Sequence, residues 1–131
     1  MANYDELKVY GAAYQLLRDV ETRLRSVPRE VRLDDVKQIK QLLLRILVLI
    51  YKANSTTEKV QLIEQAQDCT IEIRLRLRLM HDCRYTSHGL NTELQEKVIT
   101  LSKELSGWRK YALRKSSAST PFSSIVSLPA Q

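Results

Sequence analysis

Arginine carries the densest chemistry in this chain. In Ile73-Arg74-Leu75-Arg76-Leu77-Arg78-Leu79, three guanidinium groups alternate with aliphatic side chains. A guanidinium presents a planar fork of donors that grips carboxylates or phosphates bidentately. On a helix, Arg74 and Arg78 fall one turn apart on one face, while Arg76 is rotated about 200° away. Glu72 and Asp82 are near enough to compete for these arginines, and a solvated helix face is the ordinary fate of such charges. A second basic group, Arg109, Lys110, Arg114 and Lys115, surrounds Tyr111 near the end of the last helical pattern. Cations there complement the helix dipole, and Tyr111 offers a ring on which a base can stack. Trp108 continues the Leu101-Leu105 stripe and is expected in the core.

Other chemistry finds little support. His81, Cys83 and His88 fall together, but three ligands around a helix end make an incomplete metal site. A di-metal bundle needs Glu-x-x-His pairs, and the residues three before the histidines are Arg78 and Tyr85. A nucleophile needs a base beside it and a group orienting that base, but the serines cluster in the C-terminal segment and the two histidines sit at one helix end, so no such triad is suggested. Neither standard glycine-rich phosphate loop is present. The expectation is a binding protein with no catalytic residue, metal or cofactor.

The elements that would position the arginines are helices. Gly and Pro number only three each in 131 residues, too few for a turn-rich β protein. A first helix is expected from about Asn3 to Arg25, with Leu7, Tyr10, Tyr14, Leu17, Val20 and Leu24 as its buried stripe. Val27-Pro28-Arg29 ends it, because a residue before proline avoids helical angles. A second helix, capped by Asp34 or Asp35 and ending near Asn54, carries Val36, Ile39, Leu43, Ile46 and Ile50. Ser55-Thr56-Thr57-Glu58 reads as a capping box that opens a third helix running to about Asp82, with Leu62, Ala66, Cys69, Ile73, Leu77 and Met80 inward. His88-Gly89 marks a turn, and Asn91 or Thr92 starts a fourth helix with Leu94, Val98, Leu101, Leu105 and Trp108 inward. The alternating arginine run mimics a strand, but no turn separates it from the helical pattern upstream.

The reading is therefore all-α: an antiparallel up-down-up-down four-helix bundle over residues 1–115 and a flexible serine-rich tail over 116–131. From Leu42 to Tyr51 the second helix is apolar almost all round, so it must be covered on more than one side. Either it is central to its own bundle, or Leu42, Leu44, Leu47 and Leu49 meet another subunit. The stretch contains Arg45 and is too short to span a membrane. The N-terminus has no signal-peptide pattern. Cys69 and Cys83, roughly 21 Å apart along one helix, cannot pair, which suits reduced thiols in the cytoplasm. The net charge of +6 and pI near 9.5 favour an anionic partner without choosing among nucleic acid, acidic protein and lipid. The excess sits in residues 31–54 and 91–131; residues 1–30 and 55–90 are balanced.

Several of these residues together resemble the accessory variability determinants of diversity-generating retroelements, small four-helix-bundle proteins. The likeness covers roughly residues 7–113. It rests on the Val27-Pro28-Arg29 break, the Arg74 to Leu79 run, the Leu90 to Leu94 re-entry and the Leu105-Ser106-Gly107-Trp108 ending. Wider relatives include bundle proteins encoded within intervening sequences of ribosomal RNA genes. The resemblance implies a basic, barrel-like homopentamer without a catalytic site, one that binds the element's reverse transcriptase and its RNA and DNA and so supports mutagenic copying of the template. By position, Arg74, Arg76 and Arg78 would match the family's basic third-helix segment and Trp108 its terminal tryptophan. Charge balance over residues 55–90 departs from a strongly basic pattern and leaves open a second expectation, an oligomeric protein-interaction bundle that does not touch nucleic acid.

Overall fold

The computed structural model describes residues 4–119, with side chains over 8–115. Four long helices pack as a closed square, each against its chain neighbours and the first against the fourth. The first helix is Tyr4–Arg23. The second begins as a short turn, Arg29–Val31, widens into a π-helical segment, Arg32–Val36, and continues as Lys37–Asn54. The third is Lys59–Asp82 and the fourth His88–Ser119. Antiparallel order follows from the pairs between first and fourth helices: Arg23 with Glu93, Asp19 with Lys97, and Lys8 with Glu104. One is rising in number while the other falls. No strand occurs among the described residues, so the all-α four-helix bundle expected from the sequence is what forms.

The core is aliphatic and continuous along the bundle. All five residues expected inward on the second helix are buried, and so is Trp108, at 1% exposure. The π segment explains the entry of that helix. Val31 and Val36, five residues apart, are both buried, whereas regular α geometry would rotate them about 140° from each other. A widened turn, with the Lys37 amide donating to the Arg32 carbonyl, brings both back to the core side. Asp34 and Asp35 therefore lie within the helix and do not cap it; Pro28 stands at its start.

Val20 and Leu24 are buried as expected, but up to Leu17 the buried stripe of the first helix is shifted by one residue. Val9, Ala13, Leu16, Val20 and Leu24 are its buried stripe, while Tyr10 and Tyr14 stack on each other in the open, their centroids 6.4 Å apart. Ala13 permits close approach, and a tyrosine keeps its hydroxyl wet at the surface. The side chain of Leu7 is outside the described residues. On the third helix Ile63 takes the place expected for Leu62, which is only partly buried.

Two expected caps are replaced by others. Ser55 donates its hydroxyl to the Lys52 carbonyl, and Thr56 Oγ1 accepts from the Glu58 amide, so no Ser55–Glu58 box forms. Lys59 Nζ donates to the Ala53 carbonyl at 2.6 Å, closing the second helix with a cation. The fourth helix starts ahead of Asn91, because Ser87 Oγ accepts from the Leu90 amide at 3.1 Å. His88-Gly89 is its first turn. Its backbone also continues to Ser119, into the segment expected as a tail, and residues 120–131 lie outside the described residues.

Candidate interaction surfaces

The three arginines of the alternating run have different fates, set by helical rotation. Arg76 points toward the second helix, where its Nη1 donates to Asp35 Oδ1 and its Nε to Glu72 Oε2, both at 2.9 Å. The Glu72 hydrogen bond, reinforced by Asp35 and opposed by desolvation, pushes the Arg76 pKa further up. Its side chain is 28% exposed and that of Asp35 14%, so the pair fastens the π segment to the third helix. Among the described residues Arg78 pairs only with Asp82, at 3.7 Å, with its side chain 77% exposed. Arg74 is exposed and makes no ion pair among the described residues. The sequence placed Glu72 and Asp82 as competitors; Asp35, 41 residues away, carries no local signal that would have identified it.

Beside Arg74 and Arg78 runs an apolar stripe that the sequence reading did not single out. Ile71, Leu75 and Leu79 are 58%, 62% and 53% exposed, one turn apart on the outward side of the third helix. Ile71, Arg74, Leu75, Arg78 and Gln95 line a shallow groove of about 200 Å³ between the third and fourth helices. Gln95 Nε2 donates to the Arg74 carbonyl at its wall.

The four leucines expected to meet another subunit divide. Leu47 and Leu49 are buried within their own bundle, and Leu42 is partly buried against the same core. For Leu47 and Leu49 the interface expectation is corrected: their bundle already covers them. Leu44 alone is outward, continued by Val48 and Tyr51. The Lys40–Glu21 pair fixes the register of the first two antiparallel helices. About two to three turns further on, that register carries Tyr14 and Tyr10 alongside Val48 and Tyr51. The result is a second bare apolar face, of tyrosine, leucine and valine.

Toward the end of the fourth helix Arg109 is held by Glu64, its Nε donating to Oε2 at 2.8 Å and its Nη2 ion-paired with the same oxygen at 2.7 Å. Lys110 and Arg114 are exposed and make no ion pair among the described residues. Tyr111 packs partly against the core, with the Lys115 ammonium 5.7 Å from its ring centre. It is a ring already in use on one face.

The histidines and cysteines add no metal cluster. His81 and His88 rings lie 5.7 Å apart, Cys83 is exposed, and no group of three or more His, Cys, Asp or Glu is gathered for a metal among the described residues. Cys69 is buried, and that burial, against the opposing Arg45, pushes its thiol pKa up and away from reactivity. No helix among the described residues is long and apolar enough to cross a membrane. No family model, curated protein or solved structure matches the chain.

Proposed function

We propose that the chain is a non-catalytic accessory protein of a diversity-generating retroelement, a self-associating basic bundle that holds the element's reverse transcriptase together with template RNA. The observation that carries this reading is the bare Leu44-Val48-Tyr51 face beside Tyr10 and Tyr14. Exposed apolar surface of this extent marks an association site, and assembly multiplies each weak basic patch into an avid array. Lys110 and Arg114, exposed at the end of the fourth helix, supply cations that a phosphate backbone would recruit. The homopentamer follows from the sequence resemblance alone.

A second reading has an observation of its own. Arg76 and Arg109 are engaged by carboxylates within the bundle, which leaves less positive charge for nucleic acid and favours a protein-interaction bundle. Co-elution separates the two. The purified chain, mixed with the reverse transcriptase and its template RNA, is expected to elute as one complex containing several copies of the chain. Co-elution with the polymerase but not with RNA selects the second reading, and a monomer that binds neither overturns both.

A further inference from the structure

The alternating arginine-leucine run poses a choice that its sequence leaves open: the outward face can take a polyanion or a protein. Side-chain placement decides between them. Ile71, Leu75 and Leu79 are more than half exposed and wholly aliphatic. A single strand gains little from such a stripe, because its bases stack on aromatic rings and arginine planes. An amphipathic helix does, because leucines one turn apart fill the hollow beside a matching stripe.

The rims of the stripe carry opposite charges. Arg74 and Arg78 stand on the side facing the fourth helix, where Arg74 has no ion pair among the described residues and Arg78 has only the long contact with Asp82. On the other side stands Glu72, shared with Arg76; exposed Asp68 sits at the N-terminal end of the stripe, beside Ile71 and near Ser102 and Arg109 of the fourth helix. A polyanion laid along the stripe would meet both carboxylates. A helix acidic along one edge only would place its carboxylates against Arg74 and Arg78 and its apolar face on Ile71, Leu75 and Leu79.

We infer that the Ile71-Leu75-Leu79 stripe, with the groove beside it, is a docking surface for an amphipathic helix of a partner protein, acidic along the edge that meets Arg74 and Arg78, and is not a nucleic-acid site. Within the proposed function, on which this assignment rests for its biological setting, it gives the third helix to the polymerase and leaves RNA to the end of the fourth. Its chemistry is testable apart from that setting.

The probes are two fluorescent helical peptides and one single-stranded RNA oligonucleotide. Both peptides carry leucines at i, i+4 and i+7; one has glutamates along one edge, and the other has lysines there. Fluorescence anisotropy on the full chain should show the acidic peptide bound more tightly than the basic one by roughly tenfold or more. Leu75→Asp should abolish that binding, while Leu33→Asp, at an exposed site on the π segment, should leave it intact. Arg74→Glu with Arg78→Glu should reverse the preference toward the basic peptide, a gain that misfolding cannot produce. Equal binding of both peptides, or of neither, overturns the assignment. So does RNA affinity lost with Leu75→Asp or with the arginine pair, which would make the groove a nucleic-acid site and leave the accessory function standing. A native mass that falls on Leu75→Asp identifies a second copy as the occupant and also overturns it. Failure of the chain to bind polymerase or RNA, with the peptide preference intact, removes the proposed function alone.

Discussion

The third helix has two apolar sides, and only one of them serves the fold. Leu77 and Leu75 stand two residues apart in the same run, yet Leu77 is 1% exposed and Leu75 is 62% exposed. The intervening arginine sorts the same way: Arg76, turned toward Asp35, is a fastening, whereas Arg74 and Arg78 line an open groove. Residue type is shared across the run, and helical rotation assigns the work. Inner residues should report on stability alone and outer residues on association alone.

The sharpest way to break that division is to truncate both leucines. Leu77→Ala should lower unfolding free energy by about 2–5 kcal/mol, through lost burial and a residual cavity, and Leu75→Ala should change it by no more than about 0.5 kcal/mol. Denaturant titration of the two variants checks both. Comparable losses would mean that the outer stripe is packed in the native protein.

The arginines should divide likewise, with a smaller gap. Arg76→Ala leaves Asp35 largely buried without its partner and should cost about 1–2 kcal/mol, while Arg74→Ala should be close to neutral. Thermal melts in low and high salt would separate them, since the exposed residue has little to lose to screening.

Next in size is a backbone effect at the end of the third helix. Arg84 adopts φ 65°, and its amide donates to His81 while that of Tyr85 donates to Met80, a Schellman closure. A side chain in this left-handed position is strained relative to glycine. Arg84→Gly should therefore raise stability by about 1 kcal/mol.

The smallest expected effect concerns pH on the face between the first and fourth helices. Burial pushes the Glu104 pKa up, and Lys8 at 3.9 Å only partly opposes it. A carboxyl whose folded pKa exceeds 4.5 favours the folded state while protonated, and that contribution is lost as pH rises through the folded value. Asp19 and Glu93 have the opposite sign. Burial would raise Asp19, but Lys97 and Gln15 pull it below 3.8; the Arg23 hydrogen bond, against some desolvation, pulls Glu93 below 4.5. Their stabilisation is present above those ordinary values and disappears as pH falls through the lowered ones. Glu104→Gln should accordingly raise the melting temperature at pH 7 and lose that advantage in acid. Asp19→Asn should lower it at pH 7, with the difference closing in acid.

Much of this division was legible in the sequence, and its gaps have physical causes. Branched residues at helical spacing placed Val36, Ile39, Leu43, Ile46 and Ile50 on the inner side of the second helix, where Leu47 and Leu49, expected at an interface, join them, and Trp108 followed from the stripe it extends. The N-terminal half of the first helix was misjudged in phase because Tyr10 and Tyr14 recur with the same period as Val9 and Ala13, and a large amphipathic ring outweighs a small alanine in any periodicity count; Val20 and Leu24 were placed correctly. The third helix opens where Ser55-Thr56-Thr57-Glu58 announced it, but its cap, and both the cap and the start of the fourth helix, were misassigned because Thr56 and Ser87 accept through single hydroxyl contacts that lack the paired glutamate of a capping box. Asp35 escaped notice as the partner of Arg76 because only the packed bundle brings them together. The outer stripe was hidden by its regularity, since Leu75 and Leu77 look alike until the bundle exposes one of them.

The most direct test of the account is the salt dependence of single-stranded RNA binding by three forms of the chain: unsubstituted, Arg74→Ala with Arg78→Ala, and Lys110→Ala with Arg114→Ala. If RNA is held at the end of the fourth helix, removing Lys110 and Arg114 should flatten the plot of log affinity against log salt by about 0.7 per lost phosphate contact, and removing Arg74 and Arg78 should leave its slope unchanged. A slope that responds to Arg74 and Arg78 instead, or no RNA binding even at low salt, would contradict the account.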